Sequence, residues 1–84
     1  MNTYQPRGVC SRKILFDVEE DGTIHHVSFE GGCNGNLQGI GSLIEGMGID
    51  EAIARLAGIQ CGMKGTSCPD QLARALKKYK EEHQ

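Results

Sequence analysis

Lys13-Ile14-Leu15-Phe16-Asp17-Val18-Glu19-Glu20-Asp21-Gly22-Thr23-Ile24-His25-His26-Val27-Ser28-Phe29-Glu30 carries the alternation on which the fold reading turns. Ile14, Phe16 and Val18 fall on one side of a strand of period two. Glu20-Asp21-Gly22-Thr23 is a turn, and Asp-Gly is the strongest short-range hairpin signal. On the return strand, Ile24 to Glu30, Val27 and Phe29 face the core, with His25 on that same face near its end. Adjacent strand residues point to opposite sides, so His25 and His26 do not suit one ion; they read as a solvated or edge-strand pair. The two strands form an antiparallel hairpin with one covered side. Residues near Gly8-Val9-Cys10 are expected to add a short edge.

After Gly31-Gly32-Cys33-Asn34-Gly35 the period changes. From Asn36 to about Glu45, Leu37, Ile40, Leu43 and Ile44 recur at three and four, as in an amphipathic helix. Gly39 and Gly41 each cost about 1 kcal/mol there against Ala, which suggests close packing on their face. A second helix runs from about Ile49 to Ala57. Asp50 and Glu51 suit its first turn, Ile49, Ile53 and Leu56 form its stripe, and Gly58 ends it. The last helix has the clearest start: Ser67 as N-cap, Pro69 in the first turn, and Asp70 in a capping-box-like position. Leu72, Ala73, Leu76 and Tyr79 line its buried face, and Lys77, Lys78 and Lys80 complement its C-terminal dipole. The order is ββααα: an α+β fold in which a small antiparallel sheet is followed by three helices packed on one face.

The 84 residues amount to a single domain, 1–84, with no internal repeat or linker. Nine Lys and Arg stand against eleven Asp and Glu, a net charge of −2, which excludes a nucleic-acid binder working by bulk positive charge. No apolar run approaches the ~20 residues of a membrane span. The start, Met1-Asn2-Thr3-Tyr4-Gln5-Pro6-Arg7, lacks the apolar centre of a signal peptide, so a cytoplasmic chain is expected. Leu, Ile, Val and Phe make up 18 of the 84 residues, enough to fold but a thin core that invites a staple.

Four cysteines offer one. Cys10 precedes the first strand of the hairpin, Cys33 lies between sheet and helices, Cys61 follows the second helix, and Cys68 opens the third. Residues at one end of a sheet and at helix N-termini can converge, and four thiolates around one Zn²⁺ would tie the layers together. Several cysteines in a cytoplasmic chain point to metal or redox chemistry before disulfides. Seven of the twelve glycines lie within three positions of a cysteine, where they let backbone N–H groups turn toward a sulfur or an ion. The successive gaps of 22, 27 and 6 residues include no Cys-x-x-Cys pair. The spacing therefore leaves two readings open: a metal site, or cysteines that are simply buried core residues. At a helix N-terminus Cys68 suits a ligand or a reactive thiol, or it is a small first-turn residue. Asp70 could add an oxygen ligand, although capping already explains it. Gly39-Ile40-Gly41-Ser42 is not a phosphate loop, and no nucleophile–base arrangement is visible.

Cys61-Gly62-Met63-Lys64-Gly65-Thr66-Ser67-Cys68-Pro69-Asp70-Gln71-Leu72-Ala73 resembles the signature of the TSCPD family, named for the run Thr66 to Asp70. Gly31-Gly32-Cys33-Asn34-Gly35-Asn36 and Cys10-Ser11 resemble its pattern too, so the likeness takes in all four cysteines. The resemblance implies metal binding through those cysteines. It also implies a link to ribonucleotide reduction and DNA synthesis, since the domain occurs near the C-terminus of adenosylcobalamin-dependent ribonucleotide reductases. These 84 residues hold no reductase barrel, so an accessory module to a reductase or another protein partner is expected, not a complete enzyme. The order of elements is also similar to the U-type iron–sulfur cluster scaffolds, with Cys10, Cys33 and Cys68 at the scaffold cysteine positions. Arg12 and Ser67 stand where those scaffolds carry Asp and often His, and Cys61 is an additional thiol. The expectation is a metal-binding module holding zinc on Cys10, Cys33, Cys61 and Cys68. The alternatives are an iron–sulfur scaffold or carrier, and a thiol redox partner cycling Cys61 with Cys68.

Overall fold

The computed structural model describes residues 2–9, 11–32, 34–60 and 65–83, and of Asn34 the backbone alone. Three strands, β1 (Asn2–Tyr4), β2 (Ser11–Val18) and β3 (Ile24–Gly31), precede three helices, α1 (Asn34–Ile44), α2 (Ile49–Leu56) and α3 (Cys68–Glu82). The strands form one antiparallel sheet in the order β1-β2-β3. This is the α+β arrangement expected, with one strand more. The short edge is Asn2–Tyr4, which pairs Asn2 with Phe16 and Tyr4 with Ile14. It does not lie near Gly8-Val9, because Pro6 lacks an N–H and Gly8 takes a left-handed φ of 72°, which ends extended pairing.

Two bulges set which side chains reach the core. Between the pairs Ser11↔Gly31 and Lys13↔Glu30, β2 carries an extra residue. Arg12 and Lys13 therefore both stay exposed, and Ser11 turns inward on the side of Ile14 and Phe16. Between Leu15↔Ser28 and Asp17↔His25 the extra residue is on β3, where His26 adopts a φ of 58°. The insertion re-phases the strand. Ile24 is fully buried, while Val27 and Phe29 still pack against the core beyond the bulge. His25, next to Ile24, is consequently not on their face. Its Nδ1 lies 2.6 Å from Glu45 Oε2 and its Nε2 2.8 Å from the Thr23 hydroxyl.

The core joins Ile14 and Phe16 of β2, Ile24 of β3, Ile44 of α1, Ala52 and Leu56 of α2, and Leu72, Ala73, Ala75 and Leu76 of α3. Tyr79 closes it by an edge-to-face contact with Phe16, ring centroids 6.1 Å apart. Helix α1 packs on β3 and α2 on α3. In α1 the buried line is Leu37, Gly41 and Ile44, with Ile40 beside it. Leu43 departs from the expected stripe and is 79% exposed. Gly41 does serve close packing: a Cβ there would stand 2.9 Å from the Val27 carbonyl oxygen. Gly39 does not, since a Cβ there would meet nothing within 4 Å.

The link from α1 to α2 pairs with the hairpin turn. Ile24 N–H donates to the Met47 carbonyl at 2.9 Å and Ile49 N–H to the Gly22 carbonyl at 2.9 Å. Asp50 at the start of α2 forms an ion pair with Lys80 of α3. Among the described residues no helix is long and apolar enough to cross a membrane.

Candidate functional site

The start of α3 is where the chain's polar side chains concentrate, and each residue from Thr66 to Gln71 except Pro69 makes a side-chain bond there. Ser67 is the N-cap: its hydroxyl oxygen accepts the Asp70 N–H at 3.2 Å and donates to the Ile59 carbonyl at 2.6 Å. Pro69 sits in the first turn, where a missing N–H costs nothing. The capping box is only half formed, because the Asp70 carboxylate does not turn back to the N-cap. It accepts the Gly58 N–H at 2.7 Å and the Thr66 hydroxyl at 2.5 Å, and Arg74 Nε stands 3.1 Å away. Those donors, the Thr66 hydroxyl foremost, hold the Asp70 carboxyl below its ordinary range against the opposing effect of burial. Asp70 is a structural tie between α3 and the turn after α2, with a partner on each carboxylate oxygen.

Gln71, 2% exposed, makes a second tie. Its Nε2 donates to Thr66 Oγ1 at 2.9 Å, and its Oε1 accepts the Arg7 N–H at 3.1 Å. The N-terminal segment is thereby fastened to α3.

Cys68 is buried at the first position of α3, 8% exposed, and its Sγ lies 3.2 Å from the Ser11 hydroxyl oxygen. Cys10, Cys33 and Cys61 lie outside the described residues. Their described neighbours, however, are tied to Cys68 or to residues beside it in space or sequence. Ser11, next to Cys10, touches its sulfur. Gly31, two residues before Cys33, is the register partner of Ser11. Ile59, two residues before Cys61, accepts the bond from Ser67. Gly8, two residues before Cys10, lies against Thr66, whose methyl would be 3.4 Å from a Cβ there.

The adjacent histidines His25 and His26 stand elsewhere. His25 engages Glu45, and His26, largely exposed on the edge strand β3, has its Nδ1 3.1 Å from Asp17 Oδ2. The His26 N–H and His25 imidazole draw the Glu45 carboxyl below its ordinary value. Among the described residues no three His, Cys, Asp or Glu side chains are grouped to hold a metal, these included.

Sequence reasoning missed Ser11, Thr66 and Gln71 as members of this site. One signal pointed to Ser11. Strict alternation from Ile14 would bury Arg12, an unpaired charge in a small core, so a slip of register before Lys13 was called for.

A sheet of three antiparallel strands backed by three helices, with a cysteine and its Thr-Ser-Cys-Pro-Asp run at the start of the last helix, defines the class. The TSCPD domain profile matches residues 2–80, and the chain belongs to that family. No curated protein and no solved structure matches it significantly.

Proposed function

We propose that this TSCPD domain is a small metal-binding module that holds one zinc ion through Cys10, Cys33, Cys61 and Cys68. The observation that carries the reading is the linkage of the cysteine-flanking segments: Ser11 lies on Cys68, Ile59 is bonded to Ser67, and Gly31 pairs with Ser11. In sequence, Ser11 is one residue from Cys10, and Gly31 and Ile59 are each two residues from Cys33 and Cys61, respectively. The donor set fits the ion. Thiolates are the preferred ligands of structural zinc, four of them close the site, and a buried sulfur beside a hydroxyl donor suits a bound thiolate. When bound, the ion would supply a cross-link between the sheet, the turn after α2 and α3, in a domain whose apolar core is small.

The burial of Cys68 favours this over the redox reading, since attack on a partner's disulfide needs an accessible thiolate. A closed set of four thiolates likewise favours a resident ion over a labile iron–sulfur cluster. Metal analysis of freshly purified protein should give one zinc per chain, with all four thiols shielded from alkylation until a chelator is added. Thiols that react freely in zinc-supplied protein, with a melting temperature indifferent to zinc, would overturn the proposal. A brown anaerobic preparation with sulfide-to-iron absorbance would replace zinc by a cluster. On the family likeness alone, the partner proposed is a ribonucleotide reductase, and co-purification with such an enzyme tests it.

A further inference from the structure

We infer that Ser11 is a positioning residue for the metal site, the hydrogen-bond donor that orients the Cys68 sulfur and draws charge from it; this rests on the metal reading above. The contact is built, not incidental. Ser11 is 4% exposed and Cys68 8%, their Oγ and Sγ are 3.2 Å apart, and 56 residues of chain lie between them. Sulfur is the one hydrogen-bond partner of the Ser11 hydroxyl among the described residues. A bulge in β2 is what turns Ser11 inward, because unbroken alternation from Ile14 would place it on the opposite side of the sheet.

The direction of the bond follows from the chemistry of the ligand. In a free thiol either atom can donate. A metal-bound sulfur has given up its proton and can only accept, so the Ser11 hydroxyl donates and its own hydrogen-bonding need is met. A neutral hydroxyl donor stabilises the sulfur lone pairs without competing for the ion. It also fixes the side chain of the one cysteine that α3 presents at its first position. Partners of this kind, one bond removed from a metal, typically account for a 10–100-fold difference in metal affinity.

Cobalt(II) reports the bond directly, since its sulfur-to-metal charge-transfer band moves with the energy of the sulfur lone pairs. Cobalt(II) titrations would compare the wild-type chain with Ser11→Ala and with the size-matched pair Ser11→Thr and Ser11→Val. These last two differ only by a hydroxyl in place of a methyl group. Ser11→Ala and Ser11→Val should bind cobalt at least about 10-fold more weakly than the chains that keep the hydroxyl and shift the band to lower energy. Ser11→Thr should keep the wild-type band. Equal band energies and affinities within twofold across Thr and Val would overturn the inference while leaving the metal site standing. Absence of any sulfur-to-cobalt band in the wild-type chain would remove both. If Ser11→Ala does not fold, the Thr and Val pair decides alone, and an equal loss of affinity in both overturns the inference as well.

Discussion

The two glycines of α1 provide a test in which one substitution has opposite signs two residues apart. In a helix interior, Gly→Ala gains about 0.8–1.0 kcal/mol, because alanine gives up less backbone freedom on folding. At Gly39 nothing opposes the gain, since an added Cβ has open space around it. Gly39→Ala should therefore stabilise the domain by about 0.5–1 kcal/mol. At Gly41 the same methyl would come 2.9 Å from the Val27 carbonyl oxygen, with the carbonyl carbon and Val27 Cβ each 3.8 Å away. The obstacle is strand backbone, which has no rotamer to change, so α1 must lift from β3. Overpacking of this kind costs about 1–3 kcal/mol, which exceeds the propensity gain. Gly41→Ala should be destabilised by about 1 kcal/mol net, leaving the variants about 2 kcal/mol apart. For a domain of this size that separates their melting temperatures by roughly 8–16 °C. Urea and thermal unfolding of the two variants beside wild type measure it. A Gly41→Ala protein as stable as Gly39→Ala would refute the close seating of α1 on β3.

Asp70→Asn replaces a carboxylate that accepts from Gly58, Thr66 and Arg74 by an amide whose NH₂ must face a donor. A loss of about 2–4 kcal/mol is expected from the charge-assisted bonds, against less than about 1 for Arg74→Ala, whose side chain is half exposed; equal losses by urea unfolding would contradict the burial argument. Glu45 is one contributor to the acid limb of stability. Its folded pKa lies below its ordinary 4.5, because the His26 N–H and His25 favour the carboxylate. As pH falls, the unfolded chain takes up that proton first, so the stabilisation, complete above 4.5, is lost as pH drops through the lowered folded value. The melting-temperature gap between wild type and Glu45→Gln should close over that acid range, and a gap independent of pH would count against it.

The hairpin and the three helices were legible because each had a local signature. Ile14, Phe16 and Val18 alternate, Asp21-Gly22 turns the chain, and Ser67-Cys68-Pro69-Asp70 starts α3. The β3 bulge left no mark on a period-two reading, and the β2 bulge showed only in the charge of Arg12 that strict alternation would bury, since one inserted residue reverses every side chain beyond it. That is why the alternation puts His25 on the core face. The strand Asn2–Tyr4 has three residues, too few for any periodicity. Leu43 entered the apolar stripe through its spacing of three from Ile40. Yet it lies six residues after Leu37, roughly 120° around the helix from the buried line, and Gly41 occupies the place a large side chain would have held. At the candidate site, sequence supplied the cysteines and the cap of α3. It could not supply the partners of Asp70 and Gln71, because these bonds reach segments 12 and 64 residues away.

The side-chain bonds at the start of α3 have a common destination. Ser67 holds Ile59 and Asp70 holds Gly58, which fixes the chain just before Cys61. Gln71 holds Arg7, and Ser11 meets Cys68, which fixes the chain on both sides of Cys10. Gly31, paired with Ser11, brings up the approach to Cys33. Each of these ties is made between protein groups. Here the first turn of one helix gathers the flanking segments by side-chain hydrogen bonds. An ion held there would add its binding energy to these ties, so zinc should raise the melting temperature of the domain.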